Sequence, residues 1–180
     1  YGKEEILKKL PNQNHQFLEG SYPYTINPGG PNHEELVSLI GIYEYMMDLY
    51  NHHFDSKNIS IREKINKINN LISSHEEEVS NPILEYIYNR EDLNLIGKNK
   101  IMNKNRAPTI SFTSKYKKSK EVSDILVSNN IATRNDNFYA WRCLKALNIN
   151  TIDGLIRLSL THYNNKEDTN NVLKAMEKIN

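Results

Sequence analysis

The chain has 180 residues, of which 38% are hydrophobic, and its 23 basic and 22 acidic side chains leave a formal net charge of +1. This length is typical of one domain, or of one domain and part of another, and the hydrophobic content is enough for a core. The balanced charge disfavours nucleic acid or an anionic membrane surface as a partner. No apolar stretch approaches the roughly 20 residues of a membrane span.

The cysteine content and the first residues indicate where the protein works. Cys143 is the sole cysteine and cannot form a disulfide bond within the chain, which fits a reducing compartment. The first ten residues are charged throughout, whereas a signal peptide has an apolar core. We therefore expect a cytoplasmic protein.

The first half of the chain is predicted to be mainly helical, with no sheet of its own. Asn32 can cap a long helix, with Glu35 as its capping-box partner. Apolar residues then follow at helical spacing, namely Leu36, Leu39, Ile40, Tyr43, Met46, Met47 and Tyr50. A second helix is predicted from a stripe of isoleucines, Ile61, Ile65, Ile68 and Ile72. We expect it to end or kink before Pro82, where a short third helix begins, and residues 96–105 to form an exposed connector.

After Arg106 the hydrophobic pattern changes. Strands are predicted at residues 107–113, 131–134 and 154–163, and helices at residues 119–130, 139–147 and 165–179. These three strand–helix repeats predict a small α/β layer over one sheet. We expect the chain to divide into residues 1–106 and residues 107–180.

The last strand and the last helix carry the clearest local signals. Ile156, Leu158 and Leu160 alternate along the strand and are predicted to face the core. Asn165 is the predicted N-cap of the last helix, with Asp168 at the third helical position.

Arg157 is the most informative single residue, because it lies on the strand face opposite the aliphatic one. An arginine on a solvent-exposed strand face would account for it. Alternatively, its guanidinium binds a substrate carboxylate, which requires planar bidentate geometry on a rigid element. Periodicity leaves both interpretations open.

A polar segment after the second predicted strand is another candidate site. Arg134 is predicted to end that strand, and Asn135, Asp136 and Asn137 to form a turn. Loops that follow strands are common places for functional sites. The alternative is an ordinary turn in which Asn137 caps the next helix.

The sequence predicts no metal site. His52 and His53 are adjacent and cannot share a helix face, and the other four histidines are far apart. Phosphate-loop and serine-nucleophile motifs are also missing from the sequence. The lysine-rich segment at residues 115–120 is interpreted as a solvated turn, not a nucleic-acid site.

Taken together, three segments resemble the C-terminal domain of class V aminotransferases, in particular the cysteine desulfurase-like branch. They are RAPTISFT at 106–113, IATRNDNFYAW at 131–141 and GLIRLSLTHYNNKEDTNNVLKAM at 154–176. The opening YGKEEILKKLPNQNH resembles the segment just after the family's pyridoxal-phosphate lysine, and INPGGPNHEE at 26–35 resembles its Gly-Thr-Pro turn.

The resemblance implies an enzyme that uses pyridoxal phosphate, acts on an amino acid and forms a homodimer. The family's fold, type I, has a large cofactor-binding domain and a small C-terminal α/β domain. Residues 1–106 would be the end of the large domain and residues 107–180 the small one, an α+β fragment. The cofactor lysine would lie upstream, so we expect no catalytic residue in this chain and no activity from it alone. The alternative is a free-standing α/β binding or regulatory module without catalysis.

The resemblance also implies a cofactor contact. Gly29 and Gly30 fall on a turn that, in the family, reaches the phosphate of the partner subunit's cofactor across the dimer interface. Gly30 replaces the family's threonine, but backbone N–H groups before a helix still suit a phosphate. His33, with Asn32, is expected to be a weaker neighbour of that phosphate.

For the substrate, the resemblance implies that Arg157 binds the α-carboxylate. Arg134 and Asn135, which precede the family's mobile catalytic loop, are also expected to bind the substrate. In desulfurases this loop carries a cysteine whose thiolate attacks the substrate sulfur. Counting from Arg134, that position is Tyr139, and Cys143 comes four residues later in a predicted helix. Efficient desulfurase activity is therefore not expected.

Overall fold

The computed structural model describes residues 2–21, 24–27, 29–56, 58–102 and 104–179, and it separates the chain into two units, Tyr1–Ile65 and Asn66–Asn180. The helices are α1 (Glu4–Leu7), α2 (His33–His53), α3 (Ile61–Tyr88), α4 (Ser119–Ser128), α5 (Trp141–Ala146) and α6 (Lys166–Met176). The strands are β1 (Leu93–Ile96), β2 (Thr109–Ser114), β3 (Arg134–Asp136) and β4 (Leu155–Ser159). The division at residues 106 and 107 stays a prediction.

Helix α2 dominates the first unit and confirms the predicted cap. The side-chain oxygen of Asn32 accepts a hydrogen bond from the Glu35 N–H at 3.1 Å. Its apolar residues are nevertheless largely exposed, and Tyr50 alone among the helix's described residues is buried. The Tyr50 hydroxyl donates to the Ser56 carbonyl at 2.7 Å, which secures the end of the helix.

Helix α3 runs without a break through Pro82, so the prediction of two helices is wrong. A proline inside a helix removes one backbone hydrogen bond and costs about 3 kcal/mol. Ile83, Leu84 and Ile87 follow it directly and are completely buried. Each contributes about 1.5–3 kcal/mol when buried, so their packing outweighs the cost of the proline.

The sheet contains four antiparallel strands in the order β1-β2-β4-β3. Strand β1 was not predicted, and it lies within residues 1–106, which were expected to be mainly helical. Its four residues are too few to show a clear alternation of polar and apolar side chains. The strand is defined instead by its pairing with β2.

One face of the sheet packs against α3, α4 and α6. The predicted inward residues of β2 and β4 are all buried, namely Ile110, Phe112, Ile156 and Leu158. They share one core with residues of the three helices, including Val79, Val122, Leu126, Val172 and Met176. The capping box of α6 is also confirmed, because Asn165 and Asp168 exchange hydrogen bonds of 3.0 Å.

Strand β3 begins at Arg134, whereas the sequence predicts that a strand ends there. The preceding residues terminate α4 instead. Asn130 adopts a left-handed conformation with φ 62°, and the Ile131 N–H donates to the Leu126 carbonyl at 3.0 Å. This is a common helix ending, and pairing with β4 then defines the strand.

Arg90 links the end of α3 to the end of α6. Its guanidinium forms an ion pair with Asp92 and donates to the carbonyl oxygens of Met176 and Ile179, at 3.1 and 2.6 Å. It also donates to the Tyr86 hydroxyl at 3.0 Å. The hydrogen bond from Arg90 holds the pKa of the Asp92 carboxyl below its usual range.

We expect Asp92→Asn to lower the free energy of unfolding by about 1–2 kcal/mol at neutral pH. Because the pKa of Asp92 is lower in the folded state, the carboxylate stabilises the fold fully above its unfolded pKa of about 3.9. This contribution is lost as the pH falls through the folded pKa, so wild type and variant should converge in acid. Urea denaturation over a pH series measures the difference.

Asp124→Asn is the matched control, because the ion pair between Asp124 and Lys120 is exposed. Its removal should cost at most about 0.5 kcal/mol. Equal losses for the two variants, or a loss for Asp92→Asn that persists in acid, would contradict a stabilising role of the Arg90–Asp92 pair.

Candidate functional site

The two arginines singled out in the sequence lie opposite each other on neighbouring strands. In the β3–β4 pair, Arg134 is the direct partner of Arg157, and Ser111 of β2 is the partner of Arg157 on its other side. Directly paired residues point to the same face of a sheet. The three side chains therefore form a row on the face opposite the helix-covered core.

The ring of Phe138 is close to both guanidinium groups. Its centroid lies 4.6 Å from Cζ of Arg157 and 5.6 Å from Cζ of Arg134, within the range of a cation–π contact. Neither guanidinium makes a hydrogen bond or an ion pair with any residue that the structure describes. Two like charges directly opposite each other destabilise a sheet, so this arrangement favours an anion as ligand.

The loop that carries Phe138 has an unusual backbone. Phe138 and Tyr139 have φ values of 53° and 60°, a region that residues other than glycine rarely adopt. Asn137 holds the loop: its side-chain oxygen accepts from the Tyr139 N–H at 3.0 Å, and its carbonyl accepts from the Ala140 N–H at 2.8 Å. The alternative that Asn137 caps α5 is wrong, because the N-cap residue is Ala140.

Gly154 lies against the backbone of the same loop. It has φ +72°, and a Cβ atom at this position would lie 2.2 Å from the backbone carbon of Asp136. The peptide between Asp136 and Asn137 thus lies directly against the glycine. The Asn137 amide also donates to the Thr151 carbonyl at 3.3 Å, which fastens the loop to the turn before β4.

Asn135 is placed differently from the two arginines. It pairs with buried Ile156, so its side chain lies on the opposite face of the strand from Arg134. Its amide donates to the Ser119 hydroxyl at 3.3 Å, and the Ser119 N–H donates to Asp153 at 3.0 Å. Asn135 therefore anchors β3 to the start of α4, and a contact with substrate stays a prediction.

The turn at Gly29 and Gly30 lies in the other unit, just before α2. A Cβ atom at either glycine would meet no atom within 4 Å, so a bulky group has room to approach this backbone. His33 is the first residue of α2 and is exposed. A helix N-terminus attracts anions, and a contact between this turn and a phosphate stays a prediction.

Cys143 lies in a helix, as the sequence predicts, whereas Tyr139, which was predicted to begin that helix, precedes it. Tyr139 is fully exposed in the loop. Cys143 lies in α5 and is also exposed. Sequence reasoning missed Phe138 and Gly154. Their roles depend on contacts with residues distant in sequence, which the pattern of neighbouring residues does not indicate.

The described parts of the chain contain no group of three or more His, Cys, Asp or Glu residues arranged to hold a metal ion. In the same parts, no helix is long and apolar enough to cross a membrane.

Comparison with known proteins identifies the family of the chain. The family model described as Aminotransferase class-V matches residues 56–172, which confirms the resemblance seen in the motifs. The aminotransferase-like protein FGM3 of Gibberella zeae is 26% identical over 109 residues, covering 60% of this chain and 27% of the relative.

Solved structures agree on the fold. The match to the cysteine desulfurase CsdA of Escherichia coli has a TM-score of 0.68 at 18% identity, and it covers 99% of this chain and 41% of the CsdA chain. The match to a cysteine desulfurase of Thermococcus onnurineus has a TM-score of 0.53 at 25% identity, and it covers 66% of this chain and 29% of that desulfurase. The chain thus spans between about a quarter and two fifths of the length of these relatives, and it shares their mixed α/β fold.

Proposed function

Because the chain belongs to the aminotransferase class V family, we propose that it is the C-terminal part of a pyridoxal-phosphate-dependent enzyme that acts on an amino acid. The observation that carries this proposal is the pair of Arg134 and Arg157, which face one another without an ion pair among the described residues. A carboxylate, which every α-amino acid has, accepts paired hydrogen bonds from a guanidinium group.

Each arginine has a distinct task in the proposed site. Arg157 lies on a central strand and binds the substrate α-carboxylate, which fixes the orientation of the amino acid. Arg134 lies on the edge strand and is exposed, so it adds positive charge beside Arg157 and attracts the anionic group.

Pyridoxal phosphate, when bound, supplies an electron sink for negative charge at the substrate Cα. We propose that the backbone N–H groups of Gly29 and Gly30 hold its phosphate, with His33 beside them, and that they do so for the cofactor of the partner subunit in a homodimer. The open space around both glycines and the helix start that follows support this assignment. The lysine that binds the cofactor would lie outside these residues.

The surface of α2 supports the proposal that the chain packs against further protein. Large apolar side chains are exposed around much of this helix, namely Leu36, Val37, Leu39, Ile40, Ile42, Tyr43 and Tyr45. A helix that is apolar on several faces is ordinarily buried, and apolar patches of this kind mark interaction surfaces. A homodimer partner and the rest of the large domain would cover it. The lone cysteine supports a cytoplasmic location for the enzyme.

Assays of the complete protein with pyridoxal phosphate test the proposed function. Conversion of an amino acid should depend on the cofactor, whereas sulfide release from L-cysteine should be slow. The phenol of Tyr139 cannot accept a sulfur atom as a persulfide, and Cys143 is outside the loop. Cys143→Ala should therefore change turnover by less than about twofold, as expected for an exposed position on α5.

Two results would contradict this assignment. Amino-acid conversion that is unaffected by removing pyridoxal phosphate would exclude the proposed enzyme class. Rapid sulfide release that Cys143→Ala abolishes would identify Cys143 as the nucleophile and the protein as a desulfurase.

A further inference from the structure

The loop around Phe138 is held in a conformation that an unconstrained surface loop would abandon. Two consecutive residues other than glycine have left-handed backbones, Phe138 with φ 53° and Tyr139 with φ 60°. Such strain persists where the surroundings impose it, and it is concentrated at functional sites. Here the hydrogen bonds of Asn137 and the close approach of Gly154 impose it.

The strained loop brings one side chain to the arginine pair. The ring of Phe138 lies 4.6 Å from Cζ of Arg157 and 5.6 Å from Cζ of Arg134, whereas the neighbouring side chain of Tyr139 is fully exposed. The strained conformation thus turns the ring of Phe138, and not that of Tyr139, towards the two guanidinium groups.

An aromatic ring in this place has two physical effects on the pair. The negative face of the ring attracts both guanidinium groups and so offsets their mutual repulsion. It also restricts their rotamers without using their N–H groups, since the ring has no strong acceptor atom for them. Ten N–H donors, about five for each guanidinium, stay available for an incoming anion.

We propose that Phe138 is a positioning residue of the carboxylate site, and that its ring orders Arg157 and Arg134 together before the substrate arrives. This inference rests on the proposed function, because it assumes that the pair binds a carboxylate. Pre-ordered side chains lose less conformational freedom on binding, so the ring should strengthen carboxylate binding without touching the ligand.

Arginine side-chain NMR of the complete protein tests the role of Phe138. These 180 residues contain six arginines, at positions 62, 90, 106, 134, 142 and 157, and labelling with 15N-arginine gives an Nε–H signal for each of them. L-Alanine serves as the probe ligand. In the wild type, its addition should shift the signals of Arg157 and Arg134, and the signal of Arg90, which is engaged with Asp92, should stay in place and report an intact fold.

We expect Phe138→Leu to move the Arg157 and Arg134 signals even without ligand, because the ring current is lost. The same variant should weaken L-alanine binding by roughly five- to thirty-fold, the range expected for a cation–π contact. Phe138→Tyr and Phe138→Trp keep an aromatic face and should bind within about threefold of the wild type. Tyr139→Leu is the matched control, because it also replaces an aromatic ring with leucine in the same strained loop, and it should leave binding unchanged.

The outcomes separate the positioning role from the proposed function. If L-alanine shifts neither arginine signal in the wild type, the carboxylate site and the role of Phe138 are both wrong. If Arg157→Ala abolishes binding but Phe138→Leu binds as the wild type does, the site stands and the positioning role is wrong. Equal weakening by Phe138→Leu and Tyr139→Leu would also overturn it, because general loosening of the loop would then explain the loss. A displaced Arg90 signal in Phe138→Leu would mean that this variant disturbs the fold, and the test then rests on Phe138→Tyr and Phe138→Trp. L-Alanine binding by these two variants as tight as in the wild type supports the positioning role, and strongly weakened binding overturns it.

Discussion

Arg157→Ala in the complete enzyme should lower kcat/KM for the amino-acid substrate by about 30-fold to several thousand-fold. This corresponds to a loss of about 2–5 kcal/mol of transition-state binding, the usual cost of removing a hydrogen-bonded charge partner from a partly desolvated site. Arg157→Lys should recover part of the activity, because an ammonium group keeps the charge but lacks the planar fork. Steady-state kinetics of the three proteins measure the effect.

The fold should tolerate Arg157→Ala. The side chain is half-buried and lies on the face opposite Ile156 and Leu158, and the hydrogen bond from the Thr133 hydroxyl is to the Arg157 carbonyl, which the substitution keeps. Arg142→Ala is the matched control, because this exposed arginine on α5 should be dispensable. Wild-type kcat/KM in both Arg157 variants, or unfolding of Arg157→Ala, would show that Arg157 is an ordinary strand residue.

Gly154→Ala should destabilise the fold by about 2–5 kcal/mol. A left-handed backbone costs an alanine about 1–2 kcal/mol, and the added Cβ atom would overlap the Asp136 carbon at 2.2 Å, which forces a shift that costs about 1–3 kcal/mol. The displaced peptide leads directly to Phe138, so the variant should also disturb the contact of the ring with the arginines. Urea denaturation measures the loss of stability.

Substitutions at two other glycines separate the conformational cost of a left-handed backbone from the steric cost of the added Cβ atom. Gly20 has φ +77°, but no atom lies within 4 Å of the position that an added Cβ would take, so Gly20→Ala should show the conformational cost alone. Gly41 lies inside α2 with open space around it, so Gly41→Ala should stabilise the helix by about 0.5–1 kcal/mol. A loss for Gly154→Ala no larger than that for Gly20→Ala would mean that the Asp136–Asn137 peptide moves freely.

Structure that depends on neighbours along the chain was predictable. The cap at Asn32 and the capping box of Asn165 with Asp168 involve residues three positions apart. The alternation of Ile156 and Leu158 likewise follows from the period of a strand, which is independent of what the strand packs against. The long apolar helix α2 was also predicted, although its exposure was not.

Structure that depends on distant parts of the chain was not predictable. The continuation of α3 through Pro82 follows from core contacts of Ile83, Leu84 and Ile87, and proline by itself predicts the opposite. Strand β1 and the start of β3 at Arg134 follow from pairing with strands elsewhere in the sequence. Propensity is a weak guide wherever pairing and burial decide the conformation.

The same distinction applies to the site. The sequence by itself determined that Arg157 lies on the polar face of a strand and, through its motifs, that the chain resembles class V aminotransferases. Tertiary structure alone decided that Arg134 is its cross-strand partner, that Phe138 contacts both, and that Gly154 leaves room for the loop. The physical reason is that a side chain's face is set by the period of its own strand, whereas register and loop conformation are set by contacts between segments that are distant in sequence.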